Sequence, residues 1–89
     1  MATTIGRVQR LFMFPGSGNS SLACASIGPS PSNAELLFVQ QRDTDSDHLG
    51  AFKNSMIDAL ATALAGRQVV SADHGNTNAE ITSLRVDAT

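Results

Sequence analysis

The chain has 89 residues, six of them basic and eight acidic, for a net charge of −2 and a pI near 5.4. That length allows a single domain over 1–89 with a thin core, and one cysteine excludes an intrachain disulfide. Six scattered cations, four Phe and no Trp or Tyr argue against a nucleic-acid footprint built on charge and stacking.

Residues 5–14 carry Ile5, Val8, Leu11, Phe12, Met13 and Phe14 and stop at Pro15-Gly16, which predicts a strand. Its last four residues are apolar without alternation, the pattern of a strand end buried on both faces. Residues 16–20 form a loop of Gly, Ser and Asn. Residues 21–27 hold small apolar side chains around Cys24 and predict a second strand in a crowded place. Pro29 and Pro31 mark 28–33 as a loop, and Leu36, Leu37, Phe38 and Val39 place a third strand over 34–41. Connections of about six residues between three such strands predict an antiparallel meander.

The acidic linker 42–47 leads into the strongest signal in the chain. Between Asp47 and Gly66, the residues Leu49, Phe52, Met56, Leu60 and Leu64 recur at three- and four-residue spacing, with Ile57, Ala59 and Ala63 beside them. That is an amphipathic helix whose large side chains form the core stripe. Asp45, Ser46 or Asp47 caps its start and Gly66 ends it. Val69 and Val70 place a fourth strand over 68–73. Residues 74–78, with Gly75 and Asn76, form a turn, and Ile81, Leu84 and Val86 place a fifth strand over 79–86.

The element order β-β-β-α-β-β resembles the OB-fold, a five-stranded Greek-key barrel with its helix between the third and fourth strands. By size and order the nearest analogues are the B subunits of bacterial AB5 toxins, which assemble into rings. The resemblance rests on layout, and Cys24 has no partner for the disulfide usual in those subunits. The fold class is α+β, mainly β; the alternative is a two-layer α/β sandwich or β-grasp, with the helix packed on a mixed sheet.

Catalytic signals are sparse. The glycine-rich 16–21 loop has no helix after it and no Gly-Lys-Ser/Thr ending, so it is not a phosphate loop. Asp73-His74 has no serine in a nucleophile-elbow setting, and a turn explains His74 as a loop residue. Cys24 lacks an electropositive setting and reads as a buried structural thiol. Cys24, His48 and His74 fall short of a four-ligand zinc set, and Asp43, Asp45 and Asp47 lack the glycine and closing glutamate of a calcium loop. No catalytic residue, metal or cofactor is assigned.

The back of the helix is the more informative feature. Gly50, Ala51, Asn54, Ser55, Asp58, Ala61, Thr62 and Ala65 contain one charge among eight, where a solvated face normally carries several. Small uncharged residues admit close approach of another chain, so this face is the expected homo-oligomer interface. The barrel resemblance places ligands on two loops, at Ser17, Asn19 and Ser20 and at Asp73, His74, Asn76 and Asn78, as suits a polar ligand such as a glycan. The expected function is therefore a non-enzymatic, self-associating binding module for a polar ligand or a protein. One alternative is a single-stranded nucleic-acid binder using Phe12, Phe14 and Phe38 with Arg7, Arg10 and Arg85, although the phenylalanines read as core. The other is an accessory subunit of an enzyme. No segment reaches signal-peptide or membrane-span length. A soluble cytoplasmic protein is expected, or a secreted one if a signal peptide has been removed.

Overall fold

A computed structural model describes residues 2–15 and 20–88. Five strands and one helix follow in the order β1 (Ala2–Pro15), β2 (Ser20–Ser30), β3 (Asn33–Arg42), α1 (Asp47–Gly66), β4 (Val69–His74) and β5 (Ile81–Asp87). The architecture is α+β and mainly β, one helix on a five-stranded sheet of order β3-β2-β1-β4-β5 with antiparallel neighbours throughout. The sheet is not closed. Its edge strands meet at one parallel bridge, Phe38 with Glu80, where the Phe38 N–H donates to the Ala79 carbonyl at 2.9 Å.

β1 serves two partners. Its first half pairs with β4 from Ala2 opposite His74 to Arg7 opposite Val69, and its second half pairs with β2 from Arg7 opposite Gly28 to Pro15 opposite Ser21. The register slips between Val8 and Arg10, so Gln9 is an extra residue whose side-chain amide donates to the Gly28 carbonyl at 2.8 Å. A bulge of this kind bends the strand and inverts its alternation. Val8 and Leu11 therefore face the core, while Arg7, Arg10, Phe12 and Phe14 face away from it. The bend also brings β1 close to its neighbour: a Cβ on Gly6 would lie 2.7 Å from Gly28 Cα.

The core lies between one sheet face and the helix. Ile27, Leu37, Val39, Val70 and Leu60 are the largest fully buried side chains, joined by Val8, Ala23, Ala25, Met56, Ala63, Ala72 and Ile81.

Several sequence expectations change here. The helix has the predicted bounds, with Ser46 as its cap: Leu49 N–H donates to Ser46 Oγ at 3.1 Å. Its end differs, because Gly66 remains helical and Arg67 takes the left-handed conformation at φ 54. The buried row is Lys53, Met56, Leu60 and Ala63, whereas Leu49, Phe52 and Leu64 are exposed. The contact surface is narrower than the apolar stripe, so the stripe's flanks overhang the sheet. The loop placed at 28–33 shrinks to a two-residue turn at Pro31-Ser32. Pro29 is absorbed into β2 at the irregular stretch between Ile27 and Ser30, where its missing N–H is tolerated. The end of β1, expected to be buried on both faces, is exposed on both: Phe12 and Phe14 face away from the core, and Met13 on the other side is exposed as well. Among the described residues no helix is long and apolar enough to cross a membrane.

Candidate functional site

Strand alternation builds the outer sheet face from Arg10, Phe12 and Phe14 on β1, Leu22, Cys24 and Ser26 on β2, and Leu36, Phe38 and Gln40 on β3. The register sets them in rows: Phe12 opposite Cys24 opposite Phe38, and Phe14 opposite Leu22 opposite Gln40. Phe12 is 37%, Phe14 43% and Leu36 53% exposed, and Met13 on the reverse side of the same hairpin is 65% exposed. None of the four Phe is buried, which corrects their reading as core. The Phe12 and Phe14 rings stand 6.0 Å apart with planes 14° from parallel, and the Arg10 guanidinium sits 5.7 Å from the Phe12 centroid. Cys24 is buried between its row neighbours, and burial pushes its thiol up. Arg10 was the legible clue to this surface: it shares the period-two face of Phe12 and Phe14, and a cation marks that face as solvent-facing.

Beside the bulge, Arg7, Gln9, Pro29, Gly66 and Arg67 line an open cleft of about 540 Å³. The Arg7 Nε–H donates to the Arg67 carbonyl at 3.1 Å. Arg7, Arg10 and Arg67 have no carboxylate within ion-pair distance among the described residues. The other three cations do: Arg42 pairs with Glu80 at 3.0 Å, Lys53 with Asp45 at 2.8 Å and Arg85 with Asp87 at 3.1 Å.

The loop residues expected to hold a ligand separate into groups. Ser17 and Asn19 lie outside the described residues. Ser20 pairs with Arg42, whose guanidinium reaches Glu80 next to the β4–β5 turn, so Ser20 and that turn lie toward the same pole of the fold. Asp73 accepts from Thr3 Oγ1 at 2.6 Å and Ser83 Oγ at 2.7 Å, and these hydroxyls hold its carboxyl below the usual range. His74 is the buried last residue of β4 and not a loop residue. Its Nδ1 lies 2.9 Å from the Gly75 carbonyl and its Nε2 lies 2.9 Å from Thr4 Oγ1 and 3.3 Å from Glu35 Oε1; Thr4 Oγ1 also donates to Glu35. The ring thus pins β1, β3 and the turn together, and both its nitrogens are engaged. Asn78 Oδ1 accepts from Glu80 N–H at 3.0 Å, and Asn76, Thr77 and Asn78 are the exposed polar residues of the turn.

On the back of α1, Ala51, Asn54, Ser55, Asp58, Ala61, Thr62 and Ala65 are exposed and Gly50 is half-buried. At the helix start a groove of about 320 Å³ runs between Leu49, Phe52 and Met56 on one side and Glu80, Ile81 and Thr82 on the other. Comparison with known protein families, with curated proteins and with solved structures finds no match.

Proposed function

We propose that this chain is a non-enzymatic, self-associating binding module with an OB-like barrel. The barrel reading is supported by the helix inserted between β3 and β4, by a bent β1 shared between β2 and β4, and by the parallel approach of β3 to β5 at Phe38 and Glu80. The likeness to toxin B subunits belongs to the same reading and rests on element order.

The observation that carries the functional reading is the apolar outer face of β1–β3, with Phe12, Phe14 and Leu36 left exposed. Contiguous apolar surface on a small domain marks contact with something else. The uncharged back of α1 is the self-association surface, and the pole bearing Ser20, Asn76 and Asn78 is where a polar ligand such as a glycan would sit. A chain this small gains stability by burying surface against a copy of itself.

Light scattering coupled to size exclusion tests the assembly. The expected mass exceeds the 9.3 kDa of one chain at high micromolar concentration, and Ala61→Arg on the helix back returns it to that value without changing the circular dichroism spectrum. A wild-type protein that stays at one chain's mass under those conditions ends the self-associating reading.

A further inference from the structure

We infer that the outer edge of β1 is a track for single-stranded nucleic acid, with the backbone entering at Arg7 and Arg67 and bases stacking at Phe12 and Phe14. This deepens the binding-module reading and rests on it, since it names what the outer sheet face takes.

Net charge argued against such a ligand, but the charges are segregated. The three cations paired with carboxylates lie toward the β3–β5 pole or on β5: Arg42, Lys53 and Arg85. The three without one, Arg7, Arg10 and Arg67, lie along β1 and at the helix end beside it. The outward strand positions next to Arg10, Phe12 and Phe14 carry Ser26, Leu36 and Phe38 and no carboxylate. Arg7's row runs through Val69 to Asp87, whose carboxylate pairs with Arg85. A face on which cations outnumber unpaired acids complements a phosphodiester even on a chain that is acidic overall.

The same strand supplies stacking groups. Arg10, Phe12 and Phe14 present three flat groups in file, 5.7 and 6.0 Å apart, on the solvent side of the sheet. Every base offers a π-face to such groups, so recognition of this kind tolerates any sequence but requires unpaired bases. A cation–aromatic file also suits a protein contact, and what favours a nucleic acid here is its continuation into an arginine-lined cleft.

The test is fluorescence anisotropy with labelled oligo-dT and oligo-rU of about 12 nucleotides, within the ~4–16 that one such domain spans, with a duplex as control. Both single strands are expected to bind and the duplex to compete poorly; a marked preference between them would separate DNA from RNA as the source of the same chemistry. With three phosphate contacts, affinity for single strands is expected to fall roughly twentyfold from 50 to 200 mM salt. Phe14→Ala should weaken binding by about five- to a hundredfold, and Arg10→Gln should flatten the salt dependence, both with unchanged circular dichroism. Absence of binding at 50 mM salt overturns the inference, as does binding that neither substitution alters. The companion light-scattering measurement separates the two readings. If oligonucleotides do not bind and Phe14→Ala lowers the assembled mass, the face is a protein contact: this inference fails and the binding module stands. If neither readout moves and the protein is monomeric, both fail.

Discussion

Lys53 Nζ donates to the main-chain carbonyl of Gln40 at 2.7 Å from inside the buried row of α1. Gln40 belongs to β3, an edge strand whose one bridge on its open side among the described residues joins Phe38 to Glu80, just before β5. The ammonium therefore supplies the donor that a neighbouring strand would have given. It also pairs with Asp45 at 2.8 Å, so the charge is matched where it is buried. Helix and sheet edge are joined here by one side chain that hydropathy alone would have placed in solvent.

Replacing that side chain tests the role. Lys53→Ala leaves the Gln40 carbonyl without its donor and should lower stability by about 2–3 kcal/mol. Lys53→Met should recover packing but not the hydrogen bond, and fall between the two in urea unfolding. Equal midpoints for wild type and Lys53→Ala would show that the contact contributes nothing.

Packing gives a sharper contrast. Leu60 is fully buried, so Leu60→Ala should cost about 2–5 kcal/mol. Phe14 has the larger side chain yet stands outside the core, and Phe14→Ser should leave the unfolding midpoint of one chain nearly unchanged. Gly28 is less forgiving than either: a Cβ there would meet the Asn33 carbonyl oxygen and come within 2.7 Å of Ala34 Cα, both main-chain atoms. Gly28→Ala should therefore cost at least ~1–3 kcal/mol, measured by thermal melting.

The contrast between Leu60 and Phe14 also shows what was legible in the residues. The helix bounds were, because Ser46 and Gly66 punctuate a long period, and so were the five strands in order. The facing of β1 was legible only through Arg10, which shares a period-two face with Phe12 and Phe14. One inserted residue, Gln9, inverts the alternation after it, and an apolar run of four then reads as buried when it is a projecting edge. Lys53 was passed over for a related reason: periodicity ranks helix faces by hydropathy, and a lysine enters a core only when a carbonyl and a carboxylate wait for it. Of the candidate ligand residues, Asp73 and His74 proved to be committed to internal bonds, which depend on strand register and leave no local signal.

Acid should loosen the fold in a defined way. The Asp45 carboxyl is held below its ordinary value of 3.8 by the Arg42 main-chain N–H and by Lys53, and Asp73 below the same value by Thr3 and Ser83. A carboxyl with a depressed folded-state value binds fewer protons folded than unfolded. Its stabilisation is present above 3.8 and is lost as the pH falls through the lower, folded value. The melting temperature should thus fall on going below that pH, and the Thr3→Val, Ser83→Ala double variant should show a smaller fall. A fall of unchanged size in the double variant would assign the acid sensitivity to other groups.

Arg67 separates stability from binding. It ends α1 with φ 54, a conformation that costs a residue with a Cβ about 1 kcal/mol relative to glycine. Arg67→Gly removes that strain while keeping the carbonyl that accepts from Arg7 Nε. Stability should rise by about 0.5–1 kcal/mol. The same change deletes one cation of the proposed nucleic-acid track and should weaken oligonucleotide binding with a shallower salt dependence. Urea unfolding and anisotropy on one preparation read both quantities. A variant that is more stable and binds less tightly fits a surface cation held in a strained helix end for the sake of a ligand. If stability rises and binding is unmoved, Arg67 lies off the track, and the entry point reduces to Arg7 and Arg10.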